Sequence, residues 1–214
     1  MYDDGRNITA DRMELRYSES ELSAWVVEGP WNIKGVVCMI IYNDLHWFNK
    51  VGMNDVSVDD ADLLLGDIID MANVSKDQKE QARELYFRLR AKHLSKYVEG
   101  NHERVGVIVR WYEEDGYIFA HGDLESDPDR WVKYRDKPWG AGWFKRNILS
   151  RLISEFESII DRKPKLQFLD NAAALAKLQK CHTYVCGHFH PKERITMMHD
   201  GIRIIILPRG RNVI

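Results

Sequence analysis

The stretch CHTYVCGHFHP, Cys181 to Pro191, packs two cysteines and three histidines into ten positions. Thiolate and imidazole both bind zinc, so a self-contained zinc knuckle is one reading. The other is that His188 and His190 form one edge of a larger site whose remaining ligands lie far back in the chain. Residues suited to such a site recur upstream: Asp44 and His46 in NDLH, Asp67 in LLGD, Asn101 and His102 in GNHE, and His121 in HGD. Two carboxylates, one amide oxygen and several imidazoles make a mixed oxygen and nitrogen donor set. Such a set suits Mn, Fe or Zn and needs no thiolate. In DLH and HFH the i, i+2 spacing puts both side chains on one side of an extended segment, where two ligands can approach one cluster. Glycines 66, 100, 122 and 187 stand beside these residues, where a Cβ would crowd the site.

Each cluster follows an apolar run that reads as a strand. GVVCMIIYND is continuous and rich in β-branched residues, as a strand buried on both faces should be. DADLLLGDIID, SKYVEGNHE and HTYVCGHFH repeat the form of apolar run followed by polar turn. VGVIVRWYEEDGYIFAHGD reads as a hairpin turning at Glu114-Asp115-Gly116, and RITMMHDGIRIIIL as another turning at Asp200-Gly201. A helix is expected from Ser75 to His93, on the spacing of Ala82, Leu85, Tyr86 and Leu89, with Ser75 and Gln78 as a capping box. Further helices are expected over 143–160 and 171–179. The order β-α-β, hairpin, helix, strand, hairpin suggests an α/β sandwich with a mixed sheet. In open α/β sheets ligands bind outside the C-terminal strand edge, so residues distant in sequence would converge there.

Taken singly these motifs are weak. DLH is a common accident, GNHE reads equally as a turn before a helix, and GHFH as a surface strand end. The ordered set of D-x-H, GD, GNHE, HGD and GHxH, each at a strand end, is what argues for a site.

That ordered set resembles the signature of the calcineurin-like metallophosphoesterases, over roughly Val36 to Leu207. The resemblance implies a four-layer α/β/β/α sandwich with mixed sheets and a two-metal centre at one edge. Asp44, His46 and His190 would hold the first metal, Asn101, His121 and His188 the second, and Asp67 would bridge them. His102 would contact the phosphate and protonate the leaving group. The implied cofactors are two divalent ions, Mn2+ foremost, with Fe, Zn, Ni or Mg as alternatives. The implied activity is hydrolysis of a phosphomonoester or phosphodiester by metal-activated hydroxide. LLGDIID and HGD look closer to the UDP-2,3-diacylglucosamine hydrolase-like and related bacterial or phage phosphoesterases. The Arg-Gly that protein serine/threonine phosphatases carry after the second aspartate is absent: Met71-Ala72 follows Asp70. Asp70, Glu103 and Asp123 are the nearest candidates to orient the imidazoles, though Asp70 and Glu103 read equally as helix-terminal charges. Only twenty residues separate His46 from Asp67, so the usual crossover helix should be shortened.

Composition bounds the rest. The chain has 214 residues, 44% hydrophobic and 30% charged, as in an ordinary globular domain. We divide it into an N-terminal extension, 1–34, and one phosphoesterase domain, 35–214. A net charge of −2 argues against nucleic-acid binding by bulk charge. Three cysteines are no disulfide framework, and the polar N-terminus is unlike a signal peptide, so a cytoplasmic protein with no transmembrane segment is expected. Between 130 and 151 lies a basic and aromatic segment, RWVKYRDKPWGAGWFKRNILSR, that reads as a loop or lid. It could follow a nucleic-acid backbone, lie at a membrane interface, clamp a nucleotide diphosphate, or pack on the core with its charges solvated. The expected partner is a phosphate-ester substrate, with nucleotides and nucleic acid among the candidates. The alternative function is a non-catalytic metal-binding scaffold that uses this segment for binding. Such scaffolds lose ligands, whereas this chain retains the set. In CHTYVCGHFHP, only His188 and His190 then belong to the site. Cys181 and Cys186 would act as small buried hydrophobes, and His182 would sit at the wrong end of its strand.

Overall fold

Among the described residues, two mixed sheets make the framework. A computed structural model describes residues 38–49, 52–103, 109–126 and 164–214. The extension 1–34, the segment 130–151 and the helix expected over 143–160 lie outside the described residues. The first sheet has the order β3-β2-β1-β9, built from Ile40–Asn43 (β1), Leu63–Leu65 (β2), Tyr97–Val98 (β3) and Gly210–Val213 (β9). Strands β1, β2 and β3 run parallel, and β9 closes the β1 edge antiparallel. The second sheet has the order β4-β5-β6-β8-β7, from Trp111–Glu114 (β4), Tyr117–Ala120 (β5), Thr183–Cys186 (β6), Ile195–His199 (β7) and Ile202–Ile206 (β8). Here β5, β6 and β8 are parallel and the two edge strands antiparallel.

Side-chain alternation sorts the core into three clusters. Ile41, Leu63, Leu65, Val98, Phe119, Val185 and Ile205, drawn from both sheets, meet in one apolar cluster. Their neighbours Tyr42, Leu64 and Tyr97 point the other way and pack with Ala82, Tyr86 and Leu89 of helix α1, Lys79–His93. Likewise Ile118, Tyr184, Ile204 and Ile206 pack with Phe168, Leu169, Ala172, Ala173 and Ala176 of helix α3, Leu166–Leu178. Period-2 strands with both faces apolar are what such packing requires. Each leucine of β2 is wholly buried, contributing roughly 1.5–3 kcal/mol relative to exposure.

Both hairpins form where their turn residues demand. Asp115 and Gly116, at φ 48° and 79°, and Asp200 and Gly201, at φ 49° and 78°, supply the paired left-handed residues of a two-residue turn. Helix bounds differ from those expected. Helix α1 starts at Lys79, not Ser75, because the Ser75 hydroxyl donates to Gln78 Oε1 (2.7 Å) and caps no backbone N–H. Helix α3 starts at Leu166, not 171, since Phe168 and Leu169 continue the buried stripe back to extended Lys165 after Pro164. The connection from β1 to β2 holds no helix among its described residues. A short helix, α2 (Asp123–Ser126), follows β5. No helix among the described residues is long and apolar enough to cross a membrane.

Candidate metal centre

The loops after β1 and β2 are stitched together by backbone. Asp44 N–H donates to Gly66 O (3.0 Å), His46 N–H to Asp67 O (2.8 Å), and Asp70 N–H to Trp47 O (2.9 Å). This continues the parallel pairing past the strand ends and sets Asp44 and His46 beside Asp67. From the second sheet, His121 follows β5, and His188 and His190 follow β6. Their rings meet the two aspartates: His190 Nε2 lies 3.1 Å from Asp44 Oδ1, and His121 Nε2 lies 3.2 Å from Asp67 Oδ2.

Two donor groups result. Asp44, His46 and His190 offer donor atoms within 4.8 Å of one another, and so do Asp44, Asp67 and His121. Asp44 therefore reaches both groups, its Oδ1 standing 4.0 Å from His121 Nε2. His188 joins the second group through its Nδ1, 3.3 Å from His121 Nε2. Asn101 occupies the turn after β3, half-buried between Gly100 and His102. His102 N–H donates to Asp67 Oδ1 (2.8 Å), which ties this turn to the site. A third group, His46, Asp70 and His102, adjoins the first.

The donor chemistry fits divalent cations. Two ligand atoms about 2.1 Å from one ion in a tetrahedral array stand about 3.4 Å apart. His46 Nε2 and His190 Nε2 are 3.5 Å apart, close to that spacing, as is the His188 and His121 pair. Backbone strain marks the same residues: Asp44, His46, Asp67, His188 and His190 all have positive φ, between 51° and 68°. Non-glycine residues adopt this region rarely, at about 1–3 kcal/mol each, and such strain clusters at functional sites.

Charge follows the same logic. Burial opposes ionisation of Asp44, but His190 and His121 beside it hold its carboxyl below the usual range. Burial likewise opposes ionisation of Asp67, and His121 and His102 overcome it. Burial, reinforced by the His102 charge, depresses His46 to about 4; burial and His121 depress His188 to about 3. Anionic carboxylates and neutral imidazoles are the forms that bind cations. His121 goes the other way: despite burial, Asp67 and Asp44 push its pKa well above the ordinary value. The pocket demands positive charge.

Supporting residues aim the donors. His121 Nδ1 lies 3.3 Å from Leu65 O; with an N–H donated there, Nε2 is the nitrogen that a bound cation beside Asp67 would deprotonate and use. Asp70, buried, accepts from His102 Nδ1 at 2.7 Å and is itself held by Asn49 Nδ2 (2.5 Å) and Asn73. Glu103 does not orient an imidazole. Its carboxylate accepts the backbone N–H groups of Asp67, Ile68, Ile69 and Gly100, plus the Tyr97 hydroxyl, and so shapes the loop that carries Asp67. Asp123 Oδ2 is buried without a hydrogen bond and reaches no imidazole by one. Two glycines are dictated by close approach: a Cβ on Gly100 would overlap Asp67 Oδ1, and one on Gly187 would overlap Asp44 Oδ2.

Sequence reasoning missed a buried amide pair. Asn43 Nδ2 donates to Asp44 Oδ2 (2.6 Å), and Asn212 Nδ2 donates to Asn43 Oδ1 (2.9 Å). An asparagine ending an otherwise apolar strand was the available signal. Arg209 Nε also donates to Asp44 O (3.0 Å), from the turn between β8 and β9. The cysteines take no part: Cys181 and Cys186 are buried, free thiols in the cluster under α3, and His182 Nδ1 contacts Thr183 Oγ1. Comparison with protein families and with characterised proteins finds no match for this chain.

Proposed function

We propose that this chain is a dinuclear metallophosphoesterase, hydrolysing a phosphate ester to the free alcohol and phosphate, or phosphomonoester when the substrate is a diester. One observation carries the reading. Donor residues from five strand ends, over nearly 150 positions from Asp44 to His190, meet in one largely buried cluster, five of them at positive φ. The three core clusters support the finer architecture as well, with α1 and α3 on the outer faces of two sheets in an α/β/β/α sandwich.

In this reading Asp44, His46 and His190 would hold one divalent cation, and Asp67, Asn101, His121 and His188 a second, with Asp44 reaching both donor groups; Mn2+ would be the first choice of metal. Such cations would supply Lewis acidity at the phosphoryl group and activate water. The protein's part is to position and to move a proton. His102 is the most exposed of the cluster's partners to Asp70, at 27% of its side chain, so it faces both the buried acid and solvent. With Nδ1–H donated to Asp70, Nε2 is the atom left to protonate the departing oxygen. Asp70 stabilises the imidazolium before that transfer. Glu103 keeps the Asp67 loop from relaxing.

Metal content, measured together with Mn2+-dependent hydrolysis of bis-p-nitrophenyl phosphate and p-nitrophenyl phosphate, tests the proposal. Stoichiometric metal and cleavage of either ester are expected. A protein that binds no metal and cleaves neither would overturn it.

A further inference from the structure

An open cleft of about 730 Å3 lies between the loop after β1 and the first turns of α1, joined to the centre by Asn49, which lines it and donates to Asp70. It lies within the 300–1,000 Å3 range of small-ligand sites. Trp47 and Phe48, which directly follow the donor His46, line it. Carboxamides of Asn49, Asn54, Gln78 and Gln81 line it too, with Asp55 the one charged residue among the described lining residues. We infer that this cavity receives a nucleobase, the organic part of a nucleotide ester whose phosphate lies at the metal centre. The inference rests on the phosphoesterase reading.

Three features argue for that ligand class. The aromatic walls are fixed: Trp47 Nε1–H donates to Met53 O (3.0 Å), and Phe48 N–H donates to Asn54 Oδ1 (2.8 Å). Phe48 holds φ 68°, uncommon for a bulky residue, and it is not one of the donors. Aromatic faces stack on bases of any sequence. A carboxamide presents a donor and an acceptor side by side, as the edge of a base does. Those of Asn49, Asn54 and Gln78 are engaged with Asp70, Phe48 N–H and Ser75, whereas the side chain of Gln81, exposed on α1, makes no hydrogen bond among the described residues and can make both. Third, Asp55, the one charged residue among the described lining residues, repels anions, so the cavity suits the uncharged part of the substrate. Asn49 links cavity and centre, since it lines one and donates to Asp70 in the other.

The test uses 2-aminopurine riboside, a fluorescent nucleoside, titrated into the metal-loaded full chain. Saturable quenching is expected, weakened at least tenfold by Gln81→Trp, which removes the free carboxamide and narrows the cavity at α1, and altered by Gln81→Glu. Cleavage of bis-p-nitrophenyl phosphate should stay unchanged in both variants. Thymidine 5′-p-nitrophenyl phosphate should be cleaved with a kcat/KM at least tenfold above that of methyl p-nitrophenyl phosphate, an advantage Gln81→Trp removes. No saturable quenching, or equal affinity in all three proteins, overturns the inference, as do equal kcat/KM values for the two diesters. If no ester is cleaved while the riboside binds and Gln81→Trp blocks it, the phosphoesterase reading fails and the base site stands.

Discussion

Asp70 and His102, thirty-two positions apart, are joined by a 2.7 Å contact between a buried carboxylate oxygen and Nδ1. Burial opposes the Asp70 charge, yet the neighbouring His102 holds its pKa at about 2, so it stays anionic across the working pH range. A fixed anion behind an imidazole orients it and favours its protonated form.

His102→Ala should therefore lower kcat by roughly 10²-fold or more while metal content is largely kept. Asp70→Asn should lower kcat less, and should shift the basic limb of the kcat profile to lower pH, because the imidazolium loses its counter-charge. Steady-state kinetics against pH, alongside metal analysis, separates the two. Metal loss in His102→Ala would contradict the proton-donor role.

Asp67→Ala and His188→Ala should each abolish metal-dependent hydrolysis. Asp67 faces His121 across 3.2 Å, and His188 faces the same ring across 3.3 Å. Removing either leaves the second group short of a donor. Wild-type turnover in either variant, with Mn2+ added, would sink the dinuclear assignment.

Much of this centre was legible because it is built by strand ends. The apolar runs before Asp44, Asp67, Asn101, His121 and His188 announce strands, and the parallel strands of two sheets bring their ends together. What sequence could not give is the work done across chain distance. Glu103 read equally as a partner for an imidazole and as a helix-terminal charge, but its acceptors are used by the backbone of Asp67 to Ile69, which only the folded loop presents. Asn212 lies 169 positions from Asn43, and their pairing exists only because β9 runs antiparallel beside β1. The start of α1 was misplaced for a local reason: Ser75 spends its hydroxyl on the Gln78 side chain.

Glu103→Gln tests the loop's support. The carboxylate's two oxygens receive four backbone N–H groups and the Tyr97 hydroxyl, so an amide would set its NH2 against donors. Leaving such buried groups unpaired costs about 1–3 kcal/mol each. Denaturant unfolding should show a loss of roughly 2–4 kcal/mol, and Mn2+ affinity should fall because Asp67 is released. Unchanged stability and affinity would show that the loop holds its shape without this acid.

Gly100→Ala and Gly187→Ala keep every donor but add a Cβ where Asp67 Oδ1 and Asp44 Oδ2 now lie. Backbone must move away in each case, so metal stoichiometry should fall although the ligand set is intact.

The double variant Cys181→Ser/Cys186→Ser distinguishes the two readings of CHTYVCGHFHP directly. Both thiols are buried in the apolar cluster beneath α3, with Cys186 wholly enclosed, and burial pushes the pKa of each up, so neither is a ready thiolate. A hydroxyl at the wholly enclosed position 186 should lower stability by about 1–3 kcal/mol, whereas one at 181 can donate to Gln179 O as the thiol does. The donors that matter, His188 Nδ1 and His190 Nε2, face His121 and Asp44 instead. Metal content of the folded double variant should therefore equal that of the wild type. A zinc knuckle would lose its metal in the same measurement.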